Sequence, residues 1–214
     1  MNTDYSYLIF DLDGTLVDSV ADLTTSLNLL ADELGNPQLS PDYVRTIIGD
    51  GATKLIKRAF GQESYQREQL FRFLDIYGEH LLDQTDCYPG IRELLQSHSA
   101  DRLALVTNKP HALTLQLLEG LEIAQHFKVI IGGDSYPQKK PHPLPVQKAL
   151  QALGATAEQA IMIGDHHTDL YSGQGAGTAT CFCAYGLGNS NDLTPTCIAH
   201  DSTELLKLFP GRQL

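Results

Sequence analysis

Cysteine is scarce: there are 4 in 214 residues, and none forms a C-x-x-C pair. That density excludes a disulfide scaffold, and Cys181-Phe182-Cys183 would place alternate side chains on one face of a strand as reduced thiols. Long apolar runs are absent as well. Stretches such as Leu103 to Val106 and Val129 to Ile131 fall far short of the ~20 residues a membrane helix needs. The opening Met1-Asn2-Thr3-Asp4 has no basic segment followed by an apolar one, so no signal peptide is read there and a cytoplasmic protein without a membrane partner is expected. Positive charge is the third shortage. The chain has 15 Lys and Arg against 26 Asp and Glu, a net charge of −11, with no basic stripe, which argues against nucleic-acid and anionic-membrane partners. Any phosphate chemistry must therefore rest on local positive charge.

What is present suits a packed core. Hydrophobic residues make up 42% and charged residues 19%, with no low-complexity tract and no internal repeat, so disorder is excluded. Against a loose prior of ~150 residues per domain, the length predicts one full domain with room for a sizeable insertion.

Three apolar runs, Tyr7-Leu8-Ile9-Phe10, Leu103-Ala104-Leu105-Val106 and Ile161-Met162-Ile163, each stop at a polar residue or a Gly-Asp pair, as buried parallel strands do. Helix-period segments alternate with them: Pro110 to Leu121, Leu144 to Leu153 closed by Gly154, and Glu204 to Leu208 behind Asp201-Ser202-Thr203-Glu204, which reads as a capping box. The alternation predicts an α/β parallel sheet. Residues 18–85 break it. Val20, Leu23, Leu27, Leu30 and Leu34 recur at helical spacing up to Gly35; Ser40-Pro41 starts a second helix; Leu55 to Phe60 and Leu70 to Leu82 continue helically; Pro89-Gly90 marks the return. The expected organisation is an α/β domain from residues 1–17 and 86–214, interrupted by an all-helical unit at 18–85.

In such sheets, ligands bind beyond the carboxyl ends of the strands. Those ends carry Asp11 and Asp13, then Thr107 and Asn108, then Asp165 with Asp169 a turn later, while Lys140 lies in the loop before the last of these strands. Carboxylates gathered in one crevice repel one another unless a cation neutralises them. Oxygen-only donors suit Mg²⁺, whereas zinc would recruit His or Cys; Asp11 and Asp165 are the first ligands expected. Asp11, at the strand's end, is placed to attack phosphorus and form an aspartyl-phosphate that water then hydrolyses. Asp13 is placed to protonate the leaving oxygen and later take a proton from water. Thr107, the Asn108 amide and Lys140 would neutralise and position the phosphoryl oxygens. Gly14 permits the turn that aims Asp13, Thr15 braces that turn, and Asp169 orients Lys140 or metal-bound water.

Asp11-Leu12-Asp13-Gly14-Thr15, Thr107-Asn108, Lys140-Pro141 and Gly164-Asp165 through Asp169 resemble, in order and across essentially the whole chain, the four motifs of the haloacid-dehalogenase-like hydrolase superfamily. The resemblance implies a Rossmann-like fold, a helical C1 cap inserted after the first motif, and a phosphatase. It also implies Mg²⁺ held by Asp11, the Asp13 carbonyl and Asp165. DLDGTLVDS from Asp11 and RTIIGDGATKL from Arg45 are further similar to bacterial phosphoglycolate phosphatases, which makes 2-phosphoglycolate the first substrate to expect and a small phosphorylated metabolite the partner of a monomer or homodimer. Arg45, Gly49 and Lys54 of that second stretch are expected to reach over the crevice and contact an anionic leaving group. One departure stands out: His166-His167 follows Asp165 where the family commonly has Ser or Thr. His166 could hydrogen-bond beside the site or act as a pH-sensitive neighbour, but the plainer reading is two solvated loop histidines.

Other readings stay open at this point. A sugar phosphate, a nucleotide or pyrophosphate would suit the same motifs, and so would a phosphomutase resembling β-phosphoglucomutase, or a non-catalytic protein that binds a phosphorylated metabolite. An EF-hand is excluded because the glycine after Asp13 comes too early. A dinuclear phosphoesterase would want His in place of Asp13, and dehalogenation has no use for a proton donor there.

Overall fold

A computed structural model describes residues 5–211. Its centre is a six-stranded sheet built from β1 (Tyr7–Phe10), β4 (Leu103–Val106), β5 (Val129–Ile131), β6 (Ala160–Gly164), β7 (Ala179–Cys183) and β8 (Cys197–Ala199), ordered β5-β4-β1-β6-β7-β8. All five pairings are parallel. Every residue of β4 and β6 is buried, because helices cover both faces of the sheet; this is why the strands read as unbroken apolar runs. Alternation then assigns the faces: Leu8 and Phe10 join one core cluster while Ile9 joins Ala104, Val106 and Met162 in the other.

Strand order places the chemistry. The chain runs from central β1 out to β4 and β5 on one side, then crosses to β6, β7 and β8 on the other, so the order reverses beside β1. Phe10 is in register with both Leu105 and Ile163. The residues after these three strands therefore emerge side by side although they are far apart in the chain.

Between β1 and β4 the chain leaves through β2 (Val17–Asp18) and returns through β3 (Asp86–Cys87), which pair antiparallel. The excursion holds α1 (Val20–Leu34), α2 (Pro41–Ile47), α3 (Ala52–Phe60) and α4 (Arg67–Glu79). Gly35 ends α1 in the left-handed conformation, φ 67°, and Ser40 Oγ accepts the Tyr43 N–H at 3.2 Å to start α2, both as the residue types predict. Helix α4 differs at both ends from the Leu70–Leu82 expectation. It begins earlier because Gln66 and Gln69 form a reciprocal cap, a pair outside the usual Ser/Thr/Asp/Asn signature, and it ends at Glu79, with Leu81 buried in the following turn. Leu23, Leu27 and Leu30 of α1 meet Phe73, Ile76 and Tyr77 of α4 in a core that continues through Leu16 and Val17 into the sheet. The buried Asp22 carboxylate accepts from the Gln84 and Thr85 N–H groups and from Thr85 Oγ1 at 2.6 Å, tying the outgoing passage to the returning one.

The remaining helices are α5 (Ile91–Gln96), α6 (His111–Gly120), α7 (Leu144–Leu153), α8 (His167–Ala176) and α9 (Glu204–Leu208). At α9 the expected capping box is only half formed: Asp201 Oδ1 accepts the Thr203 and Glu204 N–H groups, while Glu204 reaches back to His200 N at 2.7 Å.

Candidate active site

Asp11 follows the central strand, its own N–H donating to Ile163 O at 2.9 Å. Asp165 follows β6 and is fixed from three sides: Thr15 Oγ1 donates to Oδ1 at 3.0 Å, and the Leu187 and Gly188 N–H groups donate to Oδ2 at 2.8 and 3.0 Å. Thr15 thus bridges two motifs, whereas the sequence suggested only a local brace. Gly14 takes φ +85°, and a Cβ there would collide with Asp165 Oδ2; the glycine serves the turn and the close approach together.

Lys140 is 1% exposed. Its ammonium stands 2.8 Å from Asp11 Oδ1 and 2.6 Å from Asp169 Oδ1 and donates to Val106 O at 2.5 Å. Burial alone would lower its pKa, but the two carboxylates outweigh that and raise it, so the site keeps a fixed positive charge. Asp169 uses its other oxygen to accept the His166 N–H at 3.0 Å. On the far side, Thr107 Oγ1 accepts the Lys109 N–H at 3.2 Å and the buried Asn108 side chain donates to Gly49 O and Lys140 O, each at 3.0 Å.

Asp13 accepts from Ser19 Oγ at 2.7 Å and from Lys109 Nζ at 2.9 and 3.2 Å. Lys109 also donates to the Tyr77 hydroxyl oxygen at 2.6 Å, joining the loop after β4 to α4. Burial would strip this ammonium of its proton; Asp13 and Tyr77 more than compensate and raise its pKa. Burial pushes the Tyr77 phenol up to about 12, so it remains a hydrogen-bond donor. Neither Lys109 nor Tyr77 stands out in the sequence: the lysine is one of several, and the tyrosine reads as a core position of an amphipathic helix. The available signal was the adjacency of Lys109 to Thr107-Asn108.

A cavity of about 50 Å³ lies between the strand ends and the helices, with Asp11, Asp13, Thr107, Asn108 and Lys109 on the sheet side and Leu23, Ile48, Leu55, Phe73 and Tyr77 opposite. Gly49 and Gly51 of the Gly49-Asp50-Gly51 turn line it. Besides the Asn108 contact, Lys139 Nζ donates to Asp50 O at 2.6 Å. Arg45 and Lys54 are not brought to the cavity. Arg45 is half-exposed, 3.9 Å from Asp18, and the largely exposed Lys54 pairs with Asp50 at 2.9 Å. Asp50 in turn binds Arg58 at 2.5 Å. Burial would raise its pKa, but hydrogen bonds from Lys54 and Arg58 win and hold it at about 2.

His166 is buried, which corrects the solvated-loop reading. It occupies the N-cap of α8, with Nδ1 3.1 Å from Thr168 Oγ1 and 3.4 Å from Thr168 N, and so stands in for the Ser or Thr the motif usually carries there. Its ring also abuts the Gly49 turn, where a Cβ would come within 2.8 Å of Cδ2. Burial first, and His167 second, lower its pKa to about 4, so it is neutral at pH 7. Gly173 and Gly175 lie in α8, which Gly177 ends in the left-handed conformation; Gly173 lets the helix approach Met162 and Thr180 of the sheet.

Asp11, Asp165 and Asp169 offer carboxylate oxygens within 4.8 Å of one another, with Lys140 as the cation among them. Burial chiefly raises the pKa of both Asp11 and Asp165, helped by repulsion from Asp169 at Asp11 and from Asp11 and Asp169 at Asp165. An oxygen-only set with excess negative charge fits a divalent metal.

A parallel sheet with carboxylates and a buried lysine converging beyond its strand ends, beneath a helical insertion, defines an α/β enzyme with its site at the topological switch point. The chain belongs to the haloacid dehalogenase-like hydrolases, whose family model matches residues 8–183. It is 38% identical over 209 residues to a phosphoglycolate phosphatase of Chromobacterium violaceum, covering 94% of each chain. To one of Aquifex aeolicus it is 34% identical over 204 residues, covering 94% of this chain and 95% of that one. Among solved structures, it superposes with a TM-score of 0.84 at 30% identity on a protein of Haemophilus somnus described as a predicted phosphoglycolate phosphatase, covering 97% and 99% of the two chains. Among the described residues no helix is long and apolar enough to cross a membrane.

Proposed function

We propose that this chain is a Mg²⁺-dependent phosphomonoesterase whose physiological substrate is 2-phosphoglycolate, released as glycolate and phosphate. The observation that carries the reaction type is the buried ion pair of Lys140 with Asp11 at 2.8 Å and with Asp169 at 2.6 Å, which orients a carboxylate at the tip of the central strand beside an acidic cluster. Asp11 attacks phosphorus in line with the ester oxygen; the P–O ester bond breaks as the Asp11–phosphorus bond forms, and Asp13 gives the departing oxygen its proton. Asp13 then takes a proton from water, which attacks phosphorus and frees Asp11. Thr107, the Asn108 backbone and Lys140 hold the phosphoryl oxygens. Asp11, Asp165 and the Asp13 carbonyl would hold Mg²⁺, which would supply the positive charge that lets a carboxylate approach an anionic phosphoryl group. Asp169 positions Lys140.

Residues 18–85 serve as a cap on the domain formed by 1–17 and 86–214, excluding water from the crevice when seated. Phosphoglycolate is favoured over nucleotides and sugar phosphates by the relatives' names. The test is phosphate release from 2-phosphoglycolate, pyrophosphate, sugar phosphates and nucleotides, with Mg²⁺ or EDTA. Mg²⁺-dependent turnover with a preference for 2-phosphoglycolate is expected; preference for another ester would overturn the substrate, and no turnover by folded, Mg²⁺-loaded protein would overturn the reaction.

A further inference from the structure

We infer that Lys109 and Tyr77 form the subsite that recognises a carboxylate on the leaving group, and so set specificity for short anionic esters. The inference rests on the phosphomonoesterase reading and goes beyond it, because the shared motifs do not say which residues select the ester. Lys109 is the one cationic side chain that lines the cavity among the described residues, and its side chain is only 4% exposed. The facing wall, Leu23, Ile48, Leu55 and Phe73, is apolar. The ammonium is paired with Asp13 at 2.9 Å, so its charge becomes available to a second carboxylate when Asp13 carries the proton it is to give the ester oxygen, and little water then screens it. The same wall would leave a sugar's hydroxyl groups without partners.

Distance along the substrate agrees. In 2-phosphoglycolate a single CH₂ separates the carboxylate from the ester oxygen, so the carboxylate must bind next to whichever group serves that oxygen. Lys109 Nζ lies 2.9 Å from Asp13 Oδ1, the group proposed for that task. Tyr77 supplies the second donor. Lys109 donates to its oxygen at 2.6 Å, and among the described residues the phenol donates to nothing, so its proton is free for a carboxylate oxygen. The ammonium sits 4.5 Å from the Tyr77 ring centroid, which holds the pair together through cation–π attraction. The sequence directed attention to Arg45 and Lys54 for this role, but the half-exposed Arg45 faces Asp18 and the largely exposed Lys54 faces Asp50.

The test compares kcat/KM for 2-phosphoglycolate with that for its neutral amide, 2-phosphoglycolamide, in wild type, Lys109→Met, Lys109→Arg and Tyr77→Phe. Each protein is its own control, since loss of folded enzyme lowers both substrates equally. Wild type should favour the acid. Lys109→Met should shrink that preference by about 10–100-fold, the worth of one charged hydrogen bond, mainly through KM; Lys109→Arg should restore most of it, and Tyr77→Phe should lose a smaller share. An unchanged acid-to-amide ratio in Lys109→Met, with both activities reduced alike, would overturn the inference. Calorimetric binding of 2-phosphoglycolate to the Asp11→Asn protein with Mg²⁺ separates the two readings. Lys109-dependent binding without wild-type turnover would support the subsite and overturn the phosphatase; binding indifferent to Lys109→Met would overturn the subsite.

Discussion

At the scale of single residues, the site is a packed set of like charges held by one buried lysine, and this has consequences for stability. Burial and repulsion from neighbouring carboxylates raise the pKa of Asp11 and Asp165 in the folded protein, so without metal the folded state binds more protons than the unfolded one once pH exceeds the ordinary carboxylate value of about 4. Stability of the metal-free protein should therefore fall as pH rises from there toward the alkaline side, by at most ~1.4 kcal/mol per pH unit per group. Mg²⁺ needs the deprotonated carboxylates, so it should raise the Tm more at pH 8 than at pH 5.5; equal shifts in scanning calorimetry would contradict this. Gly14→Ala should be costly out of proportion to one methyl. The residue sits at φ +85° with Asp165 against it, so a loss of about 1–3 kcal/mol in denaturant unfolding is expected, together with at least tenfold weaker apparent affinity for Mg²⁺. An alanine variant that binds Mg²⁺ as wild type would show the close approach to be unimportant.

Much of the site was legible at this scale because its residues are consecutive with strand ends. Asp11, Thr107 and Asp165 each follow an apolar run, and strand order brings such positions together wherever they fall in the chain. Lys109 and Tyr77 escaped notice for a physical reason. Their importance comes from each other and from Asp13, across 96 and 32 positions of sequence separation, and no periodicity encodes a contact of that kind. Arg45 and Lys54 misled in the opposite direction: they stand near a motif in the chain, but their helices turn them toward Asp18 and Asp50.

At the scale of elements, the Gly49-Asp50-Gly51 turn is what fastens the helical unit over the crevice. Asn108 and Lys139 donate to its carbonyls, while Arg58 holds Asp50 and also donates to Ile47 O at 3.1 Å, bracing the end of α2. Asp50→Asn should keep the fold but loosen the turn, raising KM several-fold with a smaller effect on kcat; a kcat loss with KM unchanged would contradict the fastening role. Because Lys54 and Arg58, opposing burial, depress the Asp50 pKa to about 2, its contribution is present above the ordinary value near 4 and is lost as pH falls from there through about 2. Acid unfolding of Asp50→Asn should accordingly be shallower than wild type over that interval. Element types and most boundaries followed from apolar period and from Gly35, Ser40 and Gly154. The misplaced start of α4 shows the limit, since a glutamine cap leaves no distinctive residue type to read.

At the scale of the whole molecule, two passages of chain, β2 and β3, join the helical unit to the sheet, and Asp22 ties them together. Asp22→Ala leaves the buried Thr85 N–H and hydroxyl without their acceptor and should cost about 1–3 kcal/mol per group lost. Intact Tm in that variant would show that the passages do not depend on this tie. The central claim is the covalent step on Asp11, and trapping tests it most directly. Protein turning over 2-phosphoglycolate with Mg²⁺ is quenched with borohydride, which reduces an aspartyl-phosphate to homoserine, and the peptides are sequenced by mass spectrometry. The account predicts homoserine at position 11 alone, absent with EDTA and absent in Asp11→Asn; turnover without any modification at Asp11, or homoserine formed at another aspartate, would contradict it.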